Sequence, residues 1–144
     1  MSAFRIDRTS PLSADEVWRR LTDWPAHAHQ VPLTRISVLT PGPTRLGTVF
    51  VARTGLGRAA FDDPMEVVRW QPPEPGVAGL CRLEKRGRAM TGWAEIHVRE
   101  AAGGTLVRWE EELRIGLLPR PLAPLTERAG RVVFGRAVDR LLRH

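Results

Sequence analysis

Between residues 33 and 115, apolar and polar residues alternate with the period of two that is typical of β-strands. The segments with this period are residues 33–39, 46–53, 58–70, 77–84, 89–99 and 105–115. Short stretches rich in glycine and proline separate them, such as Gly55-Leu-Gly57 and Ala101-Ala-Gly-Gly104. Because short connections join antiparallel neighbours, the pattern predicts an antiparallel meander.

The last three of these segments predict which side chains share a face of the sheet. If Arg86-Gly87 is a two-residue turn, Leu83 pairs with Met90. If the next loop closes so that Val98 faces Thr105, Gly92 lies opposite Glu111. The same face then carries the apolar residues Cys81, Leu83, Met90, Ala94, Ile96, Val98, Val107, Trp109, Leu113 and Ile115. We therefore expect one buried face and one charged face.

Helical patterns flank the strands. The expected elements are a strand at 4–8, a helix at 14–22, a second short helix carrying His27 and His29, and a long helix over 122–142. Ser13 followed by Glu16 has the form of a capping box, and Pro25 suits a first helical turn. The sequence predicts an α+β protein: a curved seven-stranded antiparallel sheet, two short helices and a long C-terminal helix that encloses a cavity.

Composition places the chain among globular proteins. With 144 residues, 42% hydrophobic and 26% charged, it has the size of a single domain, expected over residues 1–144. No apolar run reaches the ~18 residues of a membrane span, and the first residues lack the apolar stretch of a signal peptide. Cys81 is the only cysteine, which excludes an internal disulfide and fits a cytoplasmic location.

The charge is basic, at +6, and it comes almost entirely from arginine, since Lys85 is the only lysine. Arginines are concentrated in the expected C-terminal helix, which leaves open a role as a protein or ribosome interaction module. No aromatic and basic module or recognition helix accompanies this charge, so we expect no nucleic-acid partner.

Spaced motifs along the whole chain resemble the helix-grip fold of the START and birch-allergen-like superfamily (SRPBCC), in its polyketide cyclase/dehydrase branch. They are Ala14-Asp-Glu-Val-Trp18, Leu21-Thr-Asp23, Gly47-Thr-Val-Phe50, Gly92-Trp-Ala-Glu-Ile96 and Gly104-Thr-Leu-Val-Arg-Trp-Glu-Glu-Glu-Leu113. The resemblance implies a hydrophobic cavity between sheet and terminal helix, used in relatives for lipids, sterols, quinones or aromatic polyketides. It implies no shared set of catalytic residues and no cofactor.

Glu111 is the candidate catalytic or ligand-binding residue, because the predicted register directs its carboxyl group toward the apolar face. Burial there would raise its pKa and suit it to acid–base chemistry or to binding a polar group of a ligand. The alternative is that Glu111 lies near the strand end, where it reaches water or pairs with an arginine. Arg136, on the apolar stripe of the last helix, is the candidate partner. The residues expected to line the cavity are Phe50, Phe61, Cys81, Met90, Ile96, Val107, Trp109, Glu111 and Arg136.

His27 and His29 are expected at the mouth of the cavity. Residues two apart on a helix point to different faces, so the two imidazoles make a poor metal pair and no metal site is expected.

The sequence thus predicts a carrier or sensor of a lipophilic small molecule, such as a lipid, a quinone or a polyketide-like compound. A polyketide cyclase/aromatase, with Glu111 moving protons, is the enzymatic alternative. A homodimer is the default expectation for the oligomeric state.

Overall fold

A computed structural model describes residues 3–88, 90–115 and 123–143 of the chain. The strands are β1 (Ala3–Ser10), β2 (Thr34–Val38), β3 (Val49–Thr54), β4 (Phe61–Gln71), β5 (Gly79–Lys85), β6 (Met90–Ala101) and β7 (Gly104–Ile115). The α-helices are α1 (Ala14–Leu21), α2 (Trp24–Ala28) and α3 (Ala123–Leu141), and a 3-10 turn spans Gly57–Ala59.

The seven strands form one antiparallel sheet in the order β1-β7-β6-β5-β4-β3-β2. The predicted fold class is confirmed, with all seven strands and the three helices in the predicted order. The segment predicted as a strand from residue 58 begins instead with the 3-10 turn. Residue 89, the predicted start of a strand, and residue 122, the predicted start of the last helix, lie outside the described residues.

The predicted registers were wrong, but the predicted faces were right. Leu83 pairs with Ala94 rather than Met90, and Gly92 pairs with Leu113 rather than Glu111. The first register is displaced by four residues because β5 and β6 are joined by a longer loop than Arg86-Gly87. The second is displaced by two, since a tight turn at Gly103 (φ +80°) lets pairing continue to its edge. Even displacements leave every side chain on its face.

The helices cover one face of this sheet and form the core with it. In α1, the Ser13 hydroxyl accepts a hydrogen bond from the Glu16 amide at 3.2 Å, as the capping box predicts, and Trp18 is buried. On the outer side of the contact between α3 and β1, Arg8 Nε donates to Asp139 Oδ1 at 2.6 Å. Within the part of the chain that the structure describes, no helix is both long and apolar enough to cross a membrane.

Candidate functional site

A cavity of about 190 Å³ lies between the covered face of the sheet, α2 and α3. Its wall is largely apolar, and its aromatic lining residues are Trp24, Phe50, Phe61, Trp109 and Phe134. The half-buried members of the lining, such as Val31, Thr34 and Phe134, form its rim. A wider groove of about 610 Å³ on the opposite face of the sheet is open and lined by exposed charged side chains such as Arg99 and Arg108. The groove on the opposite face buries no ionisable side chain, so the smaller cavity beside α2 and α3 is the candidate site.

Aromatic rings form a nearly continuous wall around this cavity. Trp24 stacks on Phe50 with ring centroids 4.6 Å apart. Trp109 lies between His27 and Phe134, with centroid distances of 5.5 and 5.9 Å. Such contacts fix the rings in place, so the wall is already arranged for a flat or compact ligand.

Three buried ionisable side chains meet inside the apolar wall, and we refer to Asp63, Lys85 and Glu111 as the lysine triad. The Nζ atom of Lys85 lies 2.7 Å from Oδ2 of Asp63 and 3.8 Å from Oε2 of Glu111. The exposed fractions of the three side chains are 7%, 4% and 2%. They come from β4, β5 and β7, where alternation directs them to the covered face together with neighbours such as Met65 and Leu113.

Hydrogen bonding satisfies only part of the triad. Trp109 Nε1 donates to Oε1 of Glu111 at 3.1 Å, and Lys85 Nζ donates to Asp63 and contacts Met65 Sδ at 3.7 Å. The other two carboxylate oxygens, Asp63 Oδ1 and Glu111 Oε2, are buried without a hydrogen-bond partner among the described residues. They are therefore open hydrogen-bonding positions that a ligand or water can use: Asp63 Oδ1 accepts, and Glu111 Oε2 accepts when Glu111 is ionised.

Burial and the neighbouring charges shift the pKa values of the triad in opposite directions. Burial raises the pKa of Glu111 and of Asp63, and the positive charge of Lys85 offsets only part of each shift. Burial alone would lower the pKa of Lys85, but the charges of Glu111 and Asp63 outweigh it and raise that pKa. We assign Lys85 and Asp63 as an ion pair and Glu111 as the neutral acid, because Glu111 is the more buried acid and lies farther from the ammonium.

The two histidines lie in different environments. His27 is buried and lines the cavity, and its Nε2 lies 2.7 Å from the carbonyl oxygen of Leu21, so Nε2 carries the proton and donates. Burial lowers the pKa of His27, which favours the neutral ring. His29 is exposed at the end of α2 and does not line the cavity. The described residues contain no group of three or more His, Cys, Asp or Glu side chains placed to hold a metal ion.

The structure brings together part of the predicted set of site residues. Phe50, Phe61, Met90, Trp109 and Glu111 line the cavity. In contrast, Cys81, Ile96 and Val107 are buried in the core away from it. Burial raises the pKa of the Cys81 thiol to about 12, so this thiol is not a nucleophile at neutral pH.

The expected pairing of Glu111 with Arg136 was wrong. Arg136 is exposed on α3, and the cation beside Glu111 is Lys85. Sequence reasoning missed both Lys85 and Asp63. The available signal was alternation, because Lys85 has the same parity as Cys81 and Leu83 and is the only lysine of the chain.

An antiparallel sheet that forms a cavity with a C-terminal helix defines the helix-grip fold. The chain matches the family model described as polyketide cyclase/dehydrase and lipid transport over residues 1–144, and it belongs to that family. The resemblance seen in the sequence is thereby confirmed. The family description supports hydrophobic ligand binding in general.

Solved structures of low sequence identity share the fold. A STAR-related lipid transfer protein from Xanthomonas axonopodis superposes with a TM-score of 0.70 at 16% identity, covering 98% of this chain and 86% of that one. Ara h 8.0201 gives 0.62 at 11% identity, covering 97% of both chains. Norcoclaurine synthase from Thalictrum flavum, a point mutant in complex with a transition-state analogue, gives 0.59 at 14% identity, covering 97% and 93%.

A curated relative matches only locally. The mitochondrial amino-acid acetyltransferase of Neurospora crassa is 39% identical over an alignment of 64 residues that covers 42% of this chain and 9% of that protein. The match thus spans less than a tenth of the relative's length, so it does not indicate an acetyltransferase activity for this chain.

Proposed function

We propose that this protein binds a compact lipophilic molecule in the cavity and acts as its carrier or sensor in the cytoplasm. The observation that carries the proposal is a largely apolar cavity with an aromatic wall and a small number of buried polar atoms, the usual composition of a small-molecule site. The family description, which includes lipid transport, and the printed name of the STAR-related relative support this class of function.

The cavity volume limits the size of the ligand. At about 190 Å³ it is smaller than the roughly 300–1,000 Å³ of sites for drug-sized molecules. It is slightly larger than the ~150 Å³ engineered cavities that hold benzene. A single substituted ring therefore fits inside, whereas a sterol or a long acyl chain would extend through the rim.

Native mass spectrometry of the purified protein, with organic extraction of any retained mass, tests the proposal together with thermal-shift screening of single-ring compounds. Ala52→Leu, which fills part of the cavity wall, should abolish the ligand-induced shift. Ala129→Leu, on the exposed side of α3, is the control and should retain it. The proposal is overturned if no compound is retained and no single-ring compound raises the melting temperature.

The lysine triad favours a second candidate, a cyclase/aromatase. In an aldol closure the Asp63 carboxylate would remove a proton from carbon, the new carbon–carbon bond would form, and neutral Glu111 would give its proton to the carbonyl oxygen. Loss of water from the resulting alcohol would complete the dehydration. Lys85 would stabilise the developing oxyanion as a charged ammonium rather than form an imine, since its neighbouring carboxylates keep it protonated.

Product analysis of a poly-β-carbonyl substrate analogue distinguishes the enzyme from a carrier. Wild-type protein should change the ratio of cyclised products, and Glu111→Gln should return it to that of the uncatalysed reaction. Glu112→Gln is the matched control, because its carboxylate accepts from Trp93 Nε1 at 2.8 Å and is absent from the cavity lining. An identical product ratio with and without wild-type protein would exclude this candidate.

A further inference from the structure

We propose that the natural ligand of the cavity is a compact ring compound carrying a protonated amine, and that Asp63 Oδ1 and Glu111 Oε2 accept its N–H donors. The proposal rests on the binding function proposed above and adds the chemical class of the ligand. It follows from charge, hydrogen-bond capacity and the nature of the wall.

The site holds more acidic groups than cations. Among the described residues, the ionisable side chains that line the cavity are His27, Asp63, Lys85 and Glu111. His27 is neutral, so two carboxyl groups face a single ammonium, and only one of them can ionise without leaving the site negatively charged. An added cation would allow both carboxyl groups to ionise in an electrically neutral site, whereas an added anion would leave the site negatively charged even with Glu111 neutral.

Once Glu111 is ionised, the open hydrogen-bonding positions are acceptors. Asp63 Oδ1 and Glu111 Oε2 belong to side chains that are more than nine-tenths buried, and both oxygens lack hydrogen-bond partners among the described residues. The Lys85 ammonium, in contrast, is already directed at Asp63 and Met65. A ligand with N–H donors therefore completes the site when Glu111 is ionised, and a ligand with acceptors alone leaves Asp63 Oδ1 unpaired.

The aromatic wall favours a ligand whose hydrogen-bond donors belong to a cation over a ligand with neutral donors. Trp109 touches Glu111 through its indole N–H, and its ring faces Phe134 and His27. Indole and phenyl faces attract an ammonium group through their negative quadrupole. The same position thus offers carboxylate oxygens to the N–H donors and aromatic faces to the charge.

Binding of such a ligand would also release a proton. Burial raises the pKa of Glu111 and thereby favours its protonated form in the free protein. An ammonium group beside Oε2 removes this penalty, so the proton leaves as the cation enters. A neutral ligand has no such effect.

Isothermal titration calorimetry of the full chain at pH 7 tests the assignment with benzylamine, benzyl alcohol and benzoate, which present the same ring with a positive, neutral or negative group. We expect benzylamine to bind at least about tenfold more tightly than benzyl alcohol, because hydrogen bonds to charged groups are the stronger ones, and benzoate to bind most weakly. Titrations in two buffers of different ionisation enthalpy should show net proton release with benzylamine alone.

Matched variants test which carboxyl groups cause the preference for benzylamine. Glu111→Gln should remove most of the preference for benzylamine over benzyl alcohol, and Glu112→Gln should leave it unchanged. Asp63→Asn with Asp62→Asn as its control forms a second pair, since Asp62 is exposed and pairs with Arg53. This second pair keeps the test decisive if the Glu111 variant does not fold.

The outcomes separate the two proposals. Benzyl alcohol or benzoate binding as tightly as benzylamine would overturn the amine assignment and leave the binding function standing. An unchanged preference in Glu111→Gln and Asp63→Asn would overturn the assignment of the acceptors. If none of the three probes binds, both the amine assignment and the compact-ring cavity are wrong.

Discussion

Lys85 and Asp63 form an ion pair of 2.7 Å between β5 and β4, and the exposed fractions of the two side chains are only 4% and 7%. A buried charge is stabilised mainly by its partner, because water no longer solvates it. Lys85 is the cation nearest to both acids of the triad, so its removal affects Asp63 and Glu111 together.

Lys85→Met should therefore lower the free energy of unfolding by about 3 kcal/mol or more, the usual effect of removing one partner from a buried pair. Urea denaturation monitored by circular dichroism measures this loss. Arg53→Met, on β3, is the matched control, since the Arg53–Asp62 pair is more than half exposed, and it should cost less than about 1 kcal/mol. Equal losses in the two variants would contradict the assignment of a buried pair.

Alternation in the sequence predicts the two faces of the sheet, because a face depends only on the parity of a position. Which residues pair depends on the length and geometry of each turn, and single residues determine both. Gly103 allows a tight turn between β6 and β7, whereas the connection between β5 and β6 is longer than two residues. Parity also places Lys85 on the covered face, but its depth depends on strand ends and on the register irregularity between Val67 and Arg69 of the neighbouring strand.

The orientation of the last helix explains why Arg136 could not be placed from the sequence. Its apolar stripe is imperfect, and close packing selects the side that faces the sheet. A Cβ atom on Gly130 would lie 2.6 Å from Cε1 of Phe4, so any larger residue would displace the buried Phe4 ring where the helix meets β1. With Gly130 and Ala137 facing inward, Arg136 is directed to solvent. Contacts of this kind are invisible in a single sequence.

Glu111→Gln should change how stability depends on pH. The pKa of Glu111 is raised above its ordinary value of 4.5, so the folded state binds more protons than the unfolded state above that pH. This contribution is present below pH 4.5 and is lost, at up to about 1 kcal/mol per pH unit, as pH rises through the folded pKa. The glutamine variant should therefore gain stability relative to wild type between pH 5 and 7, in thermal melts at fixed ionic strength.

Glu112→Gln serves as the control for this titration, since it makes the same chemical change at the adjacent residue on the other face of the sheet. A constant difference between wild type and Glu111→Gln across that range would mean that Glu111 is not desolvated in the folded protein.

Gly92→Ala should destabilise the fold strongly. Gly92 has a φ of +132°, and a Cβ atom there would lie 1.9 Å from the carbonyl oxygen of Glu112, so backbone would have to move. We expect a loss of about 3 kcal/mol or more, or failure to fold. Gly47→Ala shares the positive φ (+90°) but meets open space, and it should cost only about 1–2 kcal/mol. Comparable melting temperatures for the two variants would contradict the close approach at Gly92.

His27 should make the protein sensitive to mild acid. Burial lowers the pKa of His27 below its ordinary value of 6.5, so between these two values the unfolded state takes up a proton that the folded state does not. Stability should fall as pH drops below 6.5, by up to about 1 kcal/mol per pH unit from this group alone. His27→Gln, which retains an N–H donor for the carbonyl oxygen of Leu21, should lack this part of the acid dependence. His29→Gln, on the exposed end of the same helix, should retain it, and identical pH profiles for the two variants would show that the His27 ring is solvated in the folded state.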